Sequence, residues 1–148
     1  MAKTTRALVV LALLVSACSR APVPRAGELL PGAPAPRRAI ELFLGAVKAQ
    51  DLQAMSTVWG TAKGPARDQM ERTELEKREI IMQGCYDHDK FRILDESPAD
   101  DGKRQFRVEI TKGDVTATPR FTTVKGPSDR WYVEDADIQA VRQLCRAG

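Results

Sequence analysis

Around Gly84 the spacing of apolar residues changes from a helical period to a strand period, which sets the order in which this chain can build its layers. Upstream, Ile40, Phe43, Leu44 and Val47 stand at i, i+3, i+4 and i+7 within residues 37–50, one face of a helix meeting a core. Pro36 suits the start of that helix. Asp51 is placed to cap a second, short helix with Leu52, Met55 and Trp59 on its buried side, ended by Gly60 and the Gly64-Pro65 pair. Residues 66–83 hold neither proline nor glycine and are expected to form a third helix. Asp68 and Arg72, then Glu74 and Arg78, are acid-before-base pairs four apart, each contributing about a few tenths of a kcal/mol. Leu75 and Met82, with Met70 and Ile81 beside them, form a narrow packing stripe, and the charge run reads as a solvated face.

Downstream the alternation is cleanest over residues 103–112, where Phe106, Val108 and Ile110 oppose Arg107, Glu109 and Thr111. Residues 90–96 carry Phe91 and Ile93 on one side. Residues 114–125 are rich in Thr and Val with Phe121, and Pro119 inside them indicates a bulge or an edge position. Residues 130–135 present Trp131 and Val133 on one side. The separators at 98–102, 113–114 and 126–129 have hairpin-turn chemistry, and residues 138–144 are expected to add a last helical turn or two. Helices first, then an antiparallel meander of about four strands, make an α+β domain.

The run Ala39-Ile40-Glu41-Leu42-Phe43-Leu44, the break at Lys48-Ala-Gln-Asp51-Leu52 and the strand Arg130-Trp131-Tyr132-Val133 resemble the NTF2-like (cystatin-like cone) superfamily over residues 36–137. The resemblance implies helices packed on a curved sheet with a cavity between the layers. Many secreted members are small lipoproteins without an assigned role. Trp131 and Phe106 read as core anchors before a ligand cage; where the cone leaves a cavity, its candidate lining is Phe43, Val47, Phe106, Phe121 and Trp131.

The first residues are of a different kind. Lys3 and Arg6 precede an uninterrupted apolar run over residues 7–15, much shorter than the roughly 20 residues a spanning helix needs. A basic start, a short apolar region and small residues after it are the marks of a cleaved signal peptide, here residues 1–17. Val15-Ser16-Ala17-Cys18 resembles the lipobox of bacterial lipoproteins. That resemblance implies cleavage between Ala17 and Cys18, a diacylglycerol on the Cys18 thiol, and membrane attachment as the first partner. An incidental cysteine behind an ordinary leader is the alternative. Ser19, where an aspartate commonly signals inner-membrane retention, favours the outer membrane facing the periplasm. Residues 18–36 hold five of the nine prolines, a composition that excludes helix and central strand and reads as a semi-rigid tether. The folded domain is then 37–148.

Removing Lys3 and Arg6 with the leader leaves 21 basic against 20 acidic residues, no footprint for nucleic acid. With Cys18 acylated, Cys85 and Cys145 remain in an oxidising compartment and are expected to form a structural disulfide; two free thiols are the alternative. No CxxC or Cys/His cluster accompanies them, so no metal is expected, and no cofactor motif is present. The one polar cluster is Tyr86-Asp87-His88-Asp89. In extended chain Asp87 and Asp89 point away from His88, so a turn accounts for it as well as a site does. No catalytic residue is assigned. The expected role is a non-catalytic envelope module binding a small apolar ligand or an envelope protein. The alternatives are a small isomerase- or dehydratase-type enzyme with Asp87 or His88 as base, and a structural assembly subunit.

Overall fold

The computed structural model describes residues 30–145. The expected leader, its cleavage site at Ala17 and Cys18, and residues 19–29 of the tether lie outside the described residues.

Helix α1 spans Pro36–Ala49 and buries the expected face, Ile40, Phe43, Leu44 and Val47, together with Ala39 and Ala46. Proline at its start supplies a fixed φ and lacks only an N–H that would go unused. Gln50 closes it in a left-handed conformation, φ 56°. Asp51 then caps α2 (Leu52–Val58), its carboxylate accepting from the Ala54 N–H at 2.9 Å. A small hairpin follows, β1 (Gly60–Thr61) against β2 (Gly64–Pro65). A Cβ at Gly60 would lie 2.2 Å from the Gly64 carbonyl oxygen, so this crossing requires glycine.

The third helix does not run unbroken from residue 66. Ala66–Asp68 forms one 3-10 turn, and α3 occupies Arg72–Tyr86. Two side chains account for the break. Gln69 ties down the hairpin, donating to the Pro65 carbonyl at 3.1 Å and accepting from the Thr61 hydroxyl at 2.7 Å. Glu71 is extended and caps α3, accepting from the N–H groups of Thr73 and Glu74 at 2.8 and 3.3 Å. The expected Asp68–Arg72 pair is therefore replaced: Arg72 joins Glu76 at 2.8 Å, while Glu74–Arg78 forms as expected at 2.6 Å.

The sheet is antiparallel throughout. It contains β3 (Lys90–Pro98), β4 (Arg104–Lys112), β5 (Val115–Ala117), β6 (Arg120–Lys125) and β7 (Trp131–Ala136), ordered β3-β4-β6-β7 with β5 also on β4. Pro119 does more than bulge one strand: it divides β5, on the far half of β4, from β6, on the near half. It gives no donor, yet its carbonyl still accepts from the Val108 N–H at 3.1 Å. Asp101 and Gly102 (φ 57° and 73°) and Ser128 and Asp129 (φ 56° and 57°) make the turns of the β3–β4 and β6–β7 hairpins, with the paired positive φ angles that match strand twist. The register shifts at Leu94 in β3 and at Glu134 in β7. Such bulges bend strands and increase twist, which curves the sheet around the helices.

Phe43, Phe106, Val108, Ile110, Phe121 and Val133 are fully buried between α1 and the sheet, each stabilising by about 1.5–3 kcal/mol. Residues 138–145 wind as hydrogen-bonded turns rather than regular helix and bury Val141 and Leu144. Cys145 at their end is bonded to Cys85 near the end of α3, Cα to Cα 4.0 Å.

The last residues of the expected tether are not free of the domain. Ala33 is fully buried and exchanges two backbone hydrogen bonds with Trp131, both 2.8 Å. The Gly32 N–H donates to the Thr57 carbonyl at 2.8 Å. The buried Arg130 guanidinium donates to the carbonyls of Pro31 and Gly32 at 3.2 and 2.8 Å. Gly32 (φ 76°) lies against Tyr132, and a Cβ there would meet the ring at 2.8 Å. Residues 31–33 thus form a strap fastened to β7.

Candidate functional site

A cleft of about 330 Å³ opens between α3 and β7. Ile81 and Met82 form its helical wall, and Val133–Ala136 form the other. Phe43, Trp59, Arg78, Tyr86 and Ile138 complete the lining. The bulge at Glu134 explains why consecutive residues of β7 line it: a regular strand would present only every second side chain. Ile80 and Ile81 are exposed at 57 and 56 %, unusual for isoleucine on a helix otherwise covered in charge.

Tyr86 is the most unusual group in the cleft. Its ring packs with Phe43 and Phe121, centroids 6.1 and 5.4 Å away, and its hydroxyl is buried with no hydrogen-bond partner among the described residues. Burial raises its pKa well above the usual phenol value, and the carboxylates of Asp137 and Asp135 add to the rise. It therefore stays protonated and has a donor to offer. The charged groups at the rim are partly spoken for. Glu134 pairs with Lys103 at 2.6 Å and Arg78 with Glu74 at 2.6 Å, while Asp135 is exposed.

Of the lining expected from the sequence, the structure brings only Phe43 to this cleft. Val47, Phe106 and Phe121 are fully buried in the core and do not line it. Trp131 is half-buried, and its backbone is taken by the strap. The residues missed were Trp59, Ile81, Met82, Tyr86 and Ile138. Three successive apolar residues, Ile80-Ile81-Met82, exceed what one narrow stripe can bury and were the available signal.

Tyr86 ends α3 and Asp87–Asp89 connect it to β3, where each of the three polar side chains has a structural partner. Asp87 pairs with Lys112 at 3.0 Å. His88 is buried, its Nδ1–H donating to the Tyr86 carbonyl at 2.8 Å, with its ring edge-on to Phe91. The Asp89 carboxylate accepts from the Gly113 N–H at 2.7 Å, and its carbonyl accepts from Lys48 at 2.6 Å. Asp87 and His88, the candidate bases of the enzyme reading, do not line the cleft.

No protein-family model matches the chain, and no curated protein matches it. Among solved structures it is similar to the crystal structure of an NTF-2 like protein of unknown function from Shewanella oneidensis MR-1. The identity is 15% and the TM-score 0.42, over 68% of this chain and 92% of that one. No helix among the described residues is long and apolar enough to cross a membrane.

Proposed function

We propose that this chain is a bacterial lipoprotein held in the cell envelope by acyl chains on Cys18, whose NTF2-like domain binds a small apolar ligand in the α3–β7 cleft without transforming it. The leader and Val15-Ser16-Ala17-Cys18 support the anchor, and Ser19 supports an outer-membrane position facing the periplasm. Two acyl chains suffice for stable attachment where one does not. With the strap holding residues 31–33 on the domain, residues 19–30 are the span left to reach the bilayer, at most about 43 Å fully extended.

One observation carries the binding reading: an apolar cleft lined by Tyr86, whose hydroxyl lacks an acceptor among the described residues. A buried unsatisfied hydroxyl costs about 1–3 kcal/mol, which an acceptor oxygen on a ligand recovers. The ligand class is therefore an apolar body with one carbonyl or ether oxygen. In a Trp131→Phe protein, Trp59 is the sole tryptophan and reports on the cleft. A long-chain methyl ketone should shift its emission saturably, and Tyr86→Phe should weaken that binding about 2- to 10-fold. No saturable change up to the ketone's solubility would refute the binding reading. The anchor is tested apart, by mass spectrometry of the full chain made in a bacterium: a diacylglyceryl Cys18 at the N-terminus is expected, and an uncleaved leader on an unmodified cysteine refutes it.

A catalytic reading has one feature in its favour, the presence of Asp135 in the same cleft as Tyr86. Exchange of the ketone's α-hydrogens with deuterated water, catalysed by the protein and lost in Asp135→Asn, would replace binding with proton-transfer catalysis.

A further inference from the structure

Further along α3, on walls that share no residue with the cleft, a second cavity of about 440 Å³ lies between this helix, α2 and the 3-10 turn at Ala66–Asp68. Gln53 and Ser56 of α2, Arg67 of the turn and Glu76 and Glu79 of α3 face it. Glu79 is one turn beyond Leu75 on the buried side of the helix, which carries its carboxyl inward. It is 1 % exposed, and its Oε1 has no partner among the described residues. The neighbouring charges do not supply one. Glu76 is joined to Arg72 at 2.8 Å, and Arg67 sits beside Asp68 at 3.7 Å. Gln53 and Ser56, from α2, are uncharged, and the Ser56 hydroxyl donates to the Gln53 carbonyl. The rim pairs cancel, leaving one lining carboxyl without a counter-ion.

A buried carboxyl without partners is costly, and solvent-facing Lys, Arg or Gln would have served a purely solvated helix face better. We propose that Glu79 is the anchor of a second binding site, for a small primary ammonium compound whose N–H groups enter the α2–α3 cavity and pair with its carboxylate. The rim arginines, already paired, limit the site to one cationic group and leave room for a short polar or apolar remainder. Burial, with the Glu76 carboxylate adding to it, raises the Glu79 pKa to about 7. Binding therefore requires loss of a proton below neutral pH, and affinity should rise as pH rises.

The test is a nuclear magnetic resonance titration of the full-length protein in detergent with ethanolamine and with n-butylamine, choline serving as a cation without N–H donors. Both amines should shift the amide signals around residues 53–56 and 67–79 saturably in the millimolar range. The affinity should be about tenfold higher at pH 8 than at pH 6, following ionisation of Glu79. Choline should bind at least tenfold more weakly, and Glu79→Gln should abolish amine binding while leaving the rest of the spectrum folded. Absence of saturable shifts with either amine would overturn the proposal, as would equal binding of choline or retention of binding in Glu79→Gln. Because the readout residues and ligands differ from those of the cleft, failure here is distinct from failure of ketone binding there.

Discussion

Replacing Cys85 and Cys145 together by alanine opens a loop whose ends are 60 residues apart in sequence. Chain-entropy reasoning assigns closure of a loop that size about 4 kcal/mol, against a typical total of about 5–15 kcal/mol for a domain. The loss falls unevenly. Val141 and Leu144 keep their buried apolar surface, so the C-terminal turns retain a reason to dock but no longer a covalent one. Urea unfolding followed by tryptophan fluorescence should show a midpoint lower by about 1.3–4 M, taking a slope of about 1–3 kcal/mol per M. Trypsin should cleave after the exposed Arg142 much sooner in the variant than in the parent. A stability loss below about 1 kcal/mol with unchanged cleavage would refute the assignment of the bridge as a staple. Equal thiol counts with and without reductant, on the unfolded parent, would refute the bridge itself.

Glu79 carries a destabilisation that appears with rising pH, because its folded pKa of about 7 exceeds the ordinary 4.5. The folded state holds the proton more firmly between those values, so stability falls as pH rises through them. Glu79→Gln, an isostere of the protonated acid, should be more stable than the parent by about 3 kcal/mol at pH 8 and equal to it below about pH 4.5; a pH-independent difference in urea midpoints would contradict this. Arg130→Met removes the donors that hold the strap. It should cost about 2 kcal/mol and speed hydrogen exchange at the Ala33 amide, now bonded to the Trp131 carbonyl at 2.8 Å. Unchanged protection at Ala33 would mean the backbone pairing holds the strap alone.

The α+β order and the first two helices could be read directly because their cause is local: apolar spacing in α1, a proline at its start, a capping Asp51, and strict alternation in β4. The long helix was overextended because its break depends on Gln69 reaching back to the β1–β2 hairpin, a contact that no periodicity records. The docking of the strap is not legible in the sequence for a similar reason. Its proline content forbids helix and central strand, but one buried alanine and a φ of 76° at Gly32 are enough for docking once Arg130 and Tyr132 lie opposite. The candidate lining divides more instructively: Phe43 reaches the cleft, and Val47, Phe106, Phe121 and Trp131 do not. Large apolar residues at core spacing are chosen by a full core, so Val47, Phe106 and Phe121 were the least suitable choices for an open cavity. The cleft is marked instead by apolar residues left over after the core is filled.

The two ends of the described chain frame that cleft. The strap fixes the start of β7 through Ala33 and Arg130, and the parallel bridge from Trp59 to Val133 joins the end of α2 to the same strand. On the opposite wall, the bond from Cys85 to Cys145 fastens α3 to the segment that begins near Ile138, itself part of the cleft lining. Both walls are thus restrained by contacts distant in sequence, and Phe43 and Tyr86 of the lining belong to a packed aromatic cluster with Phe121. A ligand entering such a space orders little that is not already ordered, so modest apolar area and one hydrogen bond to Tyr86 can yield useful affinity where a floppy groove of the same area would not. Preorganisation of the walls, more than their composition, is what suits a cleft of this size to the proposed binding in a domain this small.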